Sequence, residues 1–273
     1  MPELAEVQNF VNSINANFLG LTVNNIKFHR ENLRYPFDLE KLNNVFAKGS
    51  SFKKVFREGK QLVIETTQGA VNISLGMSGA FKAIENNSKK IEKHQHVSIY
   101  FSNGSGLAYI DPRRFGFWKI RDAKMDQGNA ICDPLDERAL NVVFQDSSIT
   151  VKNRSIKEML MDQKIIGGIG NIYALEALFL ARISPFRSCS SIGQKEWKIL
   201  ANQIPLMLEK AIAFGGSSIA SYRSFSGNKG NFQELHQVYG REGQKCLRSK
   251  CSGLIARLPQ GGRSSWYCPN CQK

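Results

Sequence analysis

Long hydrophobic runs are missing from this 273-residue chain, and no apolar stretch approaches the roughly 20 residues that a membrane-spanning helix needs. The first residues also lack the basic start, apolar centre and small-residue cleavage site of a secretory signal, so an intracellular protein with no membrane partner is expected. Acid is scarce as well. Only 23 Asp and Glu stand against 37 Lys and Arg, a formal net charge of +14 that points to a polyanionic partner. With no membrane anchor in view, nucleic acid is the better expectation. No internal repeat or coiled-coil heptad organises the chain. Before residue 246 cysteine is represented only by Cys132 and Cys189, which stand alone and read as buried small hydrophobes.

What is present describes an ordinary globular protein. Hydrophobic residues make up 42% and charged residues 22% of a chain long enough for two domains. The other four cysteines fall in the last 28 residues, as Cys246-x4-Cys251 and Cys268-x2-Cys271 with 16 residues between the pairs. In a reducing compartment this pair-loop-pair spacing signals a tetrahedral zinc ribbon, not disulfides. Four thiolates leave the metal no open position, so it would hold a hairpin together and not catalyse. Between the cysteines lie Arg248, Lys250, Arg257 and Arg263, with no Asp or Glu from Cys246 to Lys273, which suits contact with DNA.

The chain opens with Met1-Pro2-Glu3-Leu4-Ala5-Glu6-Val7, and Val7, Phe10, Val11, Ile14 and Phe18 recur at helical spacing. Once Met1 is trimmed, Pro2 becomes a secondary amine with a reference pKa of about 8, placed at the positive end of a helix that disfavours its protonation. Such an amine is a usable nucleophile. Proline and glutamate are also ordinary first-turn residues with no catalytic implication.

Short β-rich runs follow, at 21–28, 52–56, 61–66, 71–75, 97–101 and 107–110, punctuated by polar clusters at 85–90 and 102–106. They predict a β-sandwich or flattened barrel carrying the N-terminal helix. Periodicity weakens from about 121 to 148, where a linker is expected. Helical signals then take over: a capping box at Ser155-x-x-Glu158, a stripe through Ile172, Leu175, Leu178 and Phe179, and a third helix from about 194 to 214 with Trp197, Leu200, Ile204, Leu208 and Ile212 on one face. The glycine-rich run 165–171 fits either a phosphate-approaching helix start or a plain turn. A polar segment at 215–230 is a long loop, functional or disordered.

Together these pieces resemble the formamidopyrimidine-DNA glycosylase family. The motifs that carry the resemblance run from end to end: Pro2-Glu3-Leu4-Ala5-Glu6-Val7, Arg57-Glu58-Gly59-Lys60, Leu75-Gly76-Met77-Ser78-Gly79, Lys93-His94-Gln95-His96-Val97, Asp111-Pro112-Arg113-Arg114-Phe115-Gly116, Gly168-Ile169-Gly170-Asn171-Ile172-Tyr173-Ala174, Gln237-Val238-Tyr239-Gly240-Arg241 and the cysteine hairpin. The resemblance implies an α+β protein. Its parts would be a β-sandwich domain over 1–133, a linker over 134–151, a helical helix-two-turns-helix domain over 152–243 and a zinc finger over 244–273.

It also implies a monomeric base-excision repair enzyme of the bacterial cytoplasm that removes oxidised purines from double-stranded DNA and cuts the strand by β,δ-elimination. Pro2 would be the nucleophile, Glu3 the proton shuttle, and Lys60 the phosphate contact or proton donor. Met77, Arg113 and Phe115 would fill the gap left by the flipped nucleotide, and Asn171 and Arg263 would clamp the flanking backbone, with Lys157 and His94 as lesser contacts. Cys246, Cys251, Cys268 and Cys271 would hold one zinc ion. Three departures stand out: Ala5 for the usual second proline, four residues inside the first cysteine pair, and Ala220-Ser221 where a basic residue and Asp are common. The rival readings are an oxidised-pyrimidine glycosylase of the endonuclease VIII type and a catalytically dead DNA-binding protein. Retention of Pro2, Glu3 and Lys60 speaks against the latter.

Overall fold

The apolar stripe that starts at Val7 is buried along α1 (Leu4–Phe18) in the structure, a computed structural model. The structure describes residues 2–84, 90–122, 131–150, 153–217, 225 and 230–273. Helix α1 ends at Leu19, whose N–H still bonds to the Asn15 carbonyl, and Gly20 follows at φ +79°, a conformation that costs glycine little.

Two compact units make up the chain: residues 1–129 with 214–231, and residues 130–213 with 232–273. In the first unit α1 is followed by β1 (Val23–Phe28), α2 (Leu39–Val45), β2 (Phe52–Glu58), β3 (Gln61–Thr66), β4 (Gly69–Ser74), β5 (Ala80–Ile84), β6 (Gln95–Phe101), β7 (Gly106–Ile110) and β8 (Phe117–Ile120). The strands form two four-stranded antiparallel sheets, in the orders β1-β6-β7-β5 and β2-β3-β4-β8. One apolar cluster joins both sheets to α1. Phe18 stacks on Phe101 at 4.9 Å, Phe52 meets Phe101 edge-on at 5.1 Å, and Trp118 packs against Phe46, Phe81 and Tyr109. Each such ring contributes on the order of 2 kcal/mol by leaving water, so the sandwich is a rigid support for α1. Helix α2 and strands β5 and β8 carry no distinct sequence signal: they are short, and β8 shows only one alternation, Phe117-Trp118-Lys119-Ile120.

The second unit contains α3 (Glu137–Gln145), α4 (Ser147–Thr150), α5 (Ile156–Leu160), α6 (Asn171–Leu180), α7 (Gln194–Ala213) and the hairpin of β9 (Ala256–Gln260) with β10 (Arg263–Tyr267). The stretch 134–151, expected as a linker, is corrected by α3, which packs on α7 through Leu140 and Phe144; the Phe144 and Trp197 rings lie 4.7 Å apart. Its apolar stripe is only two residues long, too short to stand out as a period. Along α7, Trp197, Leu200, Ile204 and Leu208 are buried as the periodicity predicts. Ser155 caps α5 by accepting the Glu158 N–H and donating to its carboxylate at 2.7 Å. Helix α6 is buried from Asn171 to Phe179, including Glu176, whose carboxylate accepts the backbone N–H groups of Gln237, Val238 and Tyr239. Burial pushes the Glu176 carboxyl above its usual range, and those three donors oppose the shift. Among the described residues no helix is long and apolar enough to cross a membrane.

Candidate active site and nucleic-acid interface

Pro2 and Glu3 are both buried, with Glu3 at the N-cap of α1. Glu6 organises this end. One of its carboxylate oxygens accepts the Glu3 N–H at 2.7 Å, and the other accepts the Ser217 N–H at 2.6 Å. The chain can approach this closely because residue 216 is glycine: at φ +79°, a Cβ there would fall 2.6 Å from the Glu6 carboxylate. Ser217 bridges to Asn231, and a Cβ on Gly230 would strike the Gly216 carbonyl at 2.3 Å. The long loop is thus pinned at its base to the first turn of α1. Within it, Phe225 meets Phe18 edge-on at 5.9 Å. Met1, Ala220 and Ser221 lie outside the described residues. Sequence reasoning missed Glu6 as a site residue; its partner is 211 positions away.

Lys60 occupies the two-residue turn between β2 and β3, where Glu58 pairs with Gln61 and Gly59 adopts φ +55°. Type II′ geometry, which needs a positive φ only at the first central residue, suits such a tight antiparallel turn and favours glycine there.

Met77, Arg113 and Phe115 come from two turns that touch. Gly76 makes the approach possible, since a Cβ on it would lie 2.4 Å from the Phe115 carbonyl carbon. Met77 and Phe115 are 38% and 44% exposed, and the Arg113 guanidinium rests 4.8 Å from the Phe115 ring centroid. Beneath them Asp111 is fully buried. It accepts from Ser78 Oγ at 2.5 Å and from the Gly116 N–H at 2.8 Å, and Ser78 Oγ in turn accepts the Arg113 N–H. The His96 ring nitrogen Nε2 contacts the Asp111 carbonyl at 2.8 Å, and the Asp111 N–H donates to the His94 carbonyl. His94 is exposed, at φ +66°. Through its carbonyl it belongs to the hydrogen-bonded network beneath Met77, Arg113 and Phe115. Asp111, Ser78 and His96 were absent from the sequence candidates, although they sit inside the motifs quoted for their neighbours.

In the second unit Asn171 begins α6, donates to the Ser264 carbonyl at 3.1 Å and is 7% exposed; its Oδ1 is buried without a hydrogen-bond partner. Lys157 is buried too, with Nζ 2.8 Å from Ser265 Oγ. Burial, reinforced by the nearby Arg263 cation, lowers its pKa to about 8. Arg263 is exposed at the start of β10, so Lys157, Asn171 and Arg263 converge on one strand of the hairpin. A helix start and two cations form a polar corner whose charge suits an anion.

The four candidate zinc ligands converge as well: the Sγ atoms of Cys246, Cys251, Cys268 and Cys271 all lie within 4.8 Å of one another. Cys246 and Cys271 are 3.9 Å apart, and Cys251 and Cys268 3.6 Å. Bonds of 2.3 Å to a tetrahedral zinc imply sulfur separations of about 3.8 Å, far from the roughly 2 Å of a disulfide. Burial, with Cys268 and Cys246 alongside, pushes the Cys271 thiol up to about 12, so four thiolates here require a cation among them. The donor set fits one structural zinc ion. The longer first knuckle is used: Arg248 donates to the Phe179 carbonyl at the end of α6 and covers the Phe179 ring at 4.7 Å.

Comparison with known proteins accounts for these features together. Residues 1–118 match the family described as the formamidopyrimidine-DNA glycosylase N-terminal domain, residues 131–223 its H2TH domain, and residues 243–273 the zinc finger found in FPG and IleRS. The chain is 34% identical over 280 residues to the formamidopyrimidine-DNA glycosylase of Vibrio atlanticus, and 33% identical over 278 residues to that of Rickettsia bellii, covering all of each protein. Among solved structures, a complex of Lactococcus lactis Fpg with abasic-site DNA superposes at a TM-score of 0.84 with 28% identity, covering 99% of both chains. A complex of the same enzyme with oxidised-pyrimidine DNA, covering 100% of both chains, gives the same values. Fold, site and relatives define a DNA glycosylase of base excision repair that also acts as an AP lyase. The chain belongs to the formamidopyrimidine-DNA glycosylase family.

Proposed function

We propose that this enzyme excises oxidised purines, 8-oxoguanine and formamidopyrimidines, through an iminium formed at Pro2, acting as a monomer in the bacterial cytoplasm. The observation that carries the reading is the tethered start of α1: Pro2 and Glu3 are buried, and the Glu6 carboxylate that accepts the Glu3 N–H also fixes the base of the long loop. Removal of Met1 turns Pro2 into a secondary amine at a helix start, where the helix dipole disfavours its protonation. Its lone pair attacks C1′ of the damaged nucleotide, the bond from C1′ to the base breaks and the base departs with the proton lost by the Pro2 nitrogen; the C1′–O4′ bond then opens as O4′ takes a proton from Glu3, which leaves an iminium between C1′ and Pro2. The iminium left behind acidifies neighbouring sugar C–H bonds, so successive β- and δ-eliminations cut the strand on both sides of the sugar. Glu3 shuttles protons to the sugar. Lys60 contacts the phosphate or protonates the departing group.

Reaching C1′ requires the nucleotide to leave the stack, at a cost of a few kcal/mol. Met77 and Phe115 replace the lost stacking, and Arg113 faces the orphaned base with its planar fork. Asn171 and Arg263 hold the flanking phosphates, with Lys157 and His94 contributing less; such contacts position without specifying sequence. Zinc, when bound by the four cysteines, keeps the hairpin folded around Arg263.

Lesion choice is tested with matched duplexes carrying 8-oxoguanine, a formamidopyrimidine, thymine glycol or no damage. The reading predicts the highest kcat/KM on the two purine lesions. Preferred cleavage of thymine glycol would assign the enzyme to oxidised pyrimidines, in keeping with the Lactococcus lactis complex with oxidised-pyrimidine DNA.

A further inference from the structure

The Gly59–Lys60 turn projects from the end of β2 and β3, so its placement depends on what the flanking side chains grip. Two arginines grip it from different elements. Arg57 donates from Nε to Gln8 Oε1 and from Nη1 to the Gly59 carbonyl, both at 3.3 Å. Gln8 belongs to α1, the helix that begins at Glu3, so Arg57 ties the turn to the Pro2–Glu3 end of the molecule. Arg121 approaches from beyond β8. Its guanidinium meets both oxygens of Glu58, at 2.7 and 2.6 Å, and Asn72 Oδ1 at 3.2 Å. It also lies 5.7 Å from the Phe56 ring centroid. Since β8 is the edge strand and β2 the opposite edge in the order β2-β3-β4-β8, this side chain crosses the sheet, touching β4 on the way.

The Arg121 backbone is fixed as well, through its N–H to the Ala70 carbonyl. Exposed ion pairs usually contribute little because two long side chains must be ordered in water. Here the Arg121 side chain is 12% exposed and its fork engages both carboxylate oxygens, a geometry that fixes direction as well as distance.

We propose that Arg57 and Arg121, the latter through Glu58, are positioning residues that hold Lys60 in place relative to the start of α1. This rests on the role assigned to Lys60 above. Neither arginine is assigned contact with the reacting atoms; each acts through the turn. Misplacing a catalytic group by about 1 Å can cost up to a hundredfold in rate, so modest loosening of the turn is enough to be read kinetically.

The test is single-turnover cleavage of an 8-oxoguanine duplex by Arg57→Gln and Arg121→Gln, each made in the wild-type enzyme and in Lys60→Ala. In the wild-type background each substitution lowers the saturating rate on the order of tenfold, with the half-saturating concentration unchanged. In Lys60→Ala neither has a further effect, because the residue being positioned is gone. The exchange Glu58→Arg with Arg121→Glu recovers most of the rate, and Arg121→Lys, which keeps the charge and loses the fork, falls between. Losses that simply add to that of Lys60→Ala, with no recovery by the exchange, overturn the positioning role and leave that of Lys60 standing. A wild-type rate for Lys60→Ala removes the role of Lys60 itself, and the positioning role with it.

Discussion

Lys157 is a buried lysine whose pKa is lowered to about 8, first by burial and then by the Arg263 cation. A lysine that titrates near 8 in the folded protein and near 10.4 when unfolded holds fewer protons folded between those values. The native state is therefore disfavoured below about pH 8 and gains stability as pH rises from about 8 to 10. DNA acts in the opposite sense. A phosphate held by Arg263, as proposed above, would offset the cation that helps to lower the Lys157 pKa, so binding would draw a proton onto Lys157. Above about pH 8 the association constant should fall by up to tenfold per pH unit, a component that Lys157→Met removes. Titrations in buffers of different ionisation enthalpy measure the proton directly, and absence of uptake at pH 9 contradicts the coupling.

At the scale of elements, the zinc hairpin and α6 form one assembly. Asn171 bonds to the Ser264 carbonyl at one end of α6, and Arg248 bonds to the Phe179 carbonyl at the other. The metal organises the strands that carry Ser264 and Arg263, so its contribution is to folding. One zinc per chain is expected by elemental analysis. Exchange for cadmium, which keeps four thiolate ligands, should preserve glycosylase activity, whereas Cys271→Ser should lose both metal and DNA affinity. An enzyme inactive with cadmium yet fully folded would show that zinc does more than hold the hairpin.

The same scale shows what the sequence made legible. Local signals with strong chemistry were readable: the cysteine spacing and the apolar stripes of α1 and α7. What escaped were elements too short to display a period, α3 and β8 among them, and contacts joined only by folding. Glu6 is an example. As one carboxylate in a first helical turn it looks ordinary, and its second partner, Ser217, becomes a neighbour only after the sandwich has formed. Asp111 escaped for a different reason: its own role is to be buried, while the residues it holds are the exposed ones.

Across the whole molecule, a formal charge of +14 draws the protein to any duplex and says nothing about where it will cut. The proposed damage-specific chemistry rests on the opposite kind of feature, a few buried polar groups: Glu3 and Glu6 at the head of α1, and Asp111 beneath Met77, Arg113 and Phe115. The proposed catalytic roles all depend on Pro2, which with Met1 attached would be a tertiary amide lacking a nucleophilic lone pair. The most direct measurement is borohydride reduction during reaction with an 8-oxoguanine duplex, followed by mass spectrometry of the crosslinked peptide. The account predicts a stable protein–DNA adduct on the amine of Pro2 in protein that has lost Met1, and residual trapping at residue 2 in Pro2→Gly, which retains a weaker primary amine. An adduct on a lysine, or none at all from protein proven to begin at Pro2, would contradict it.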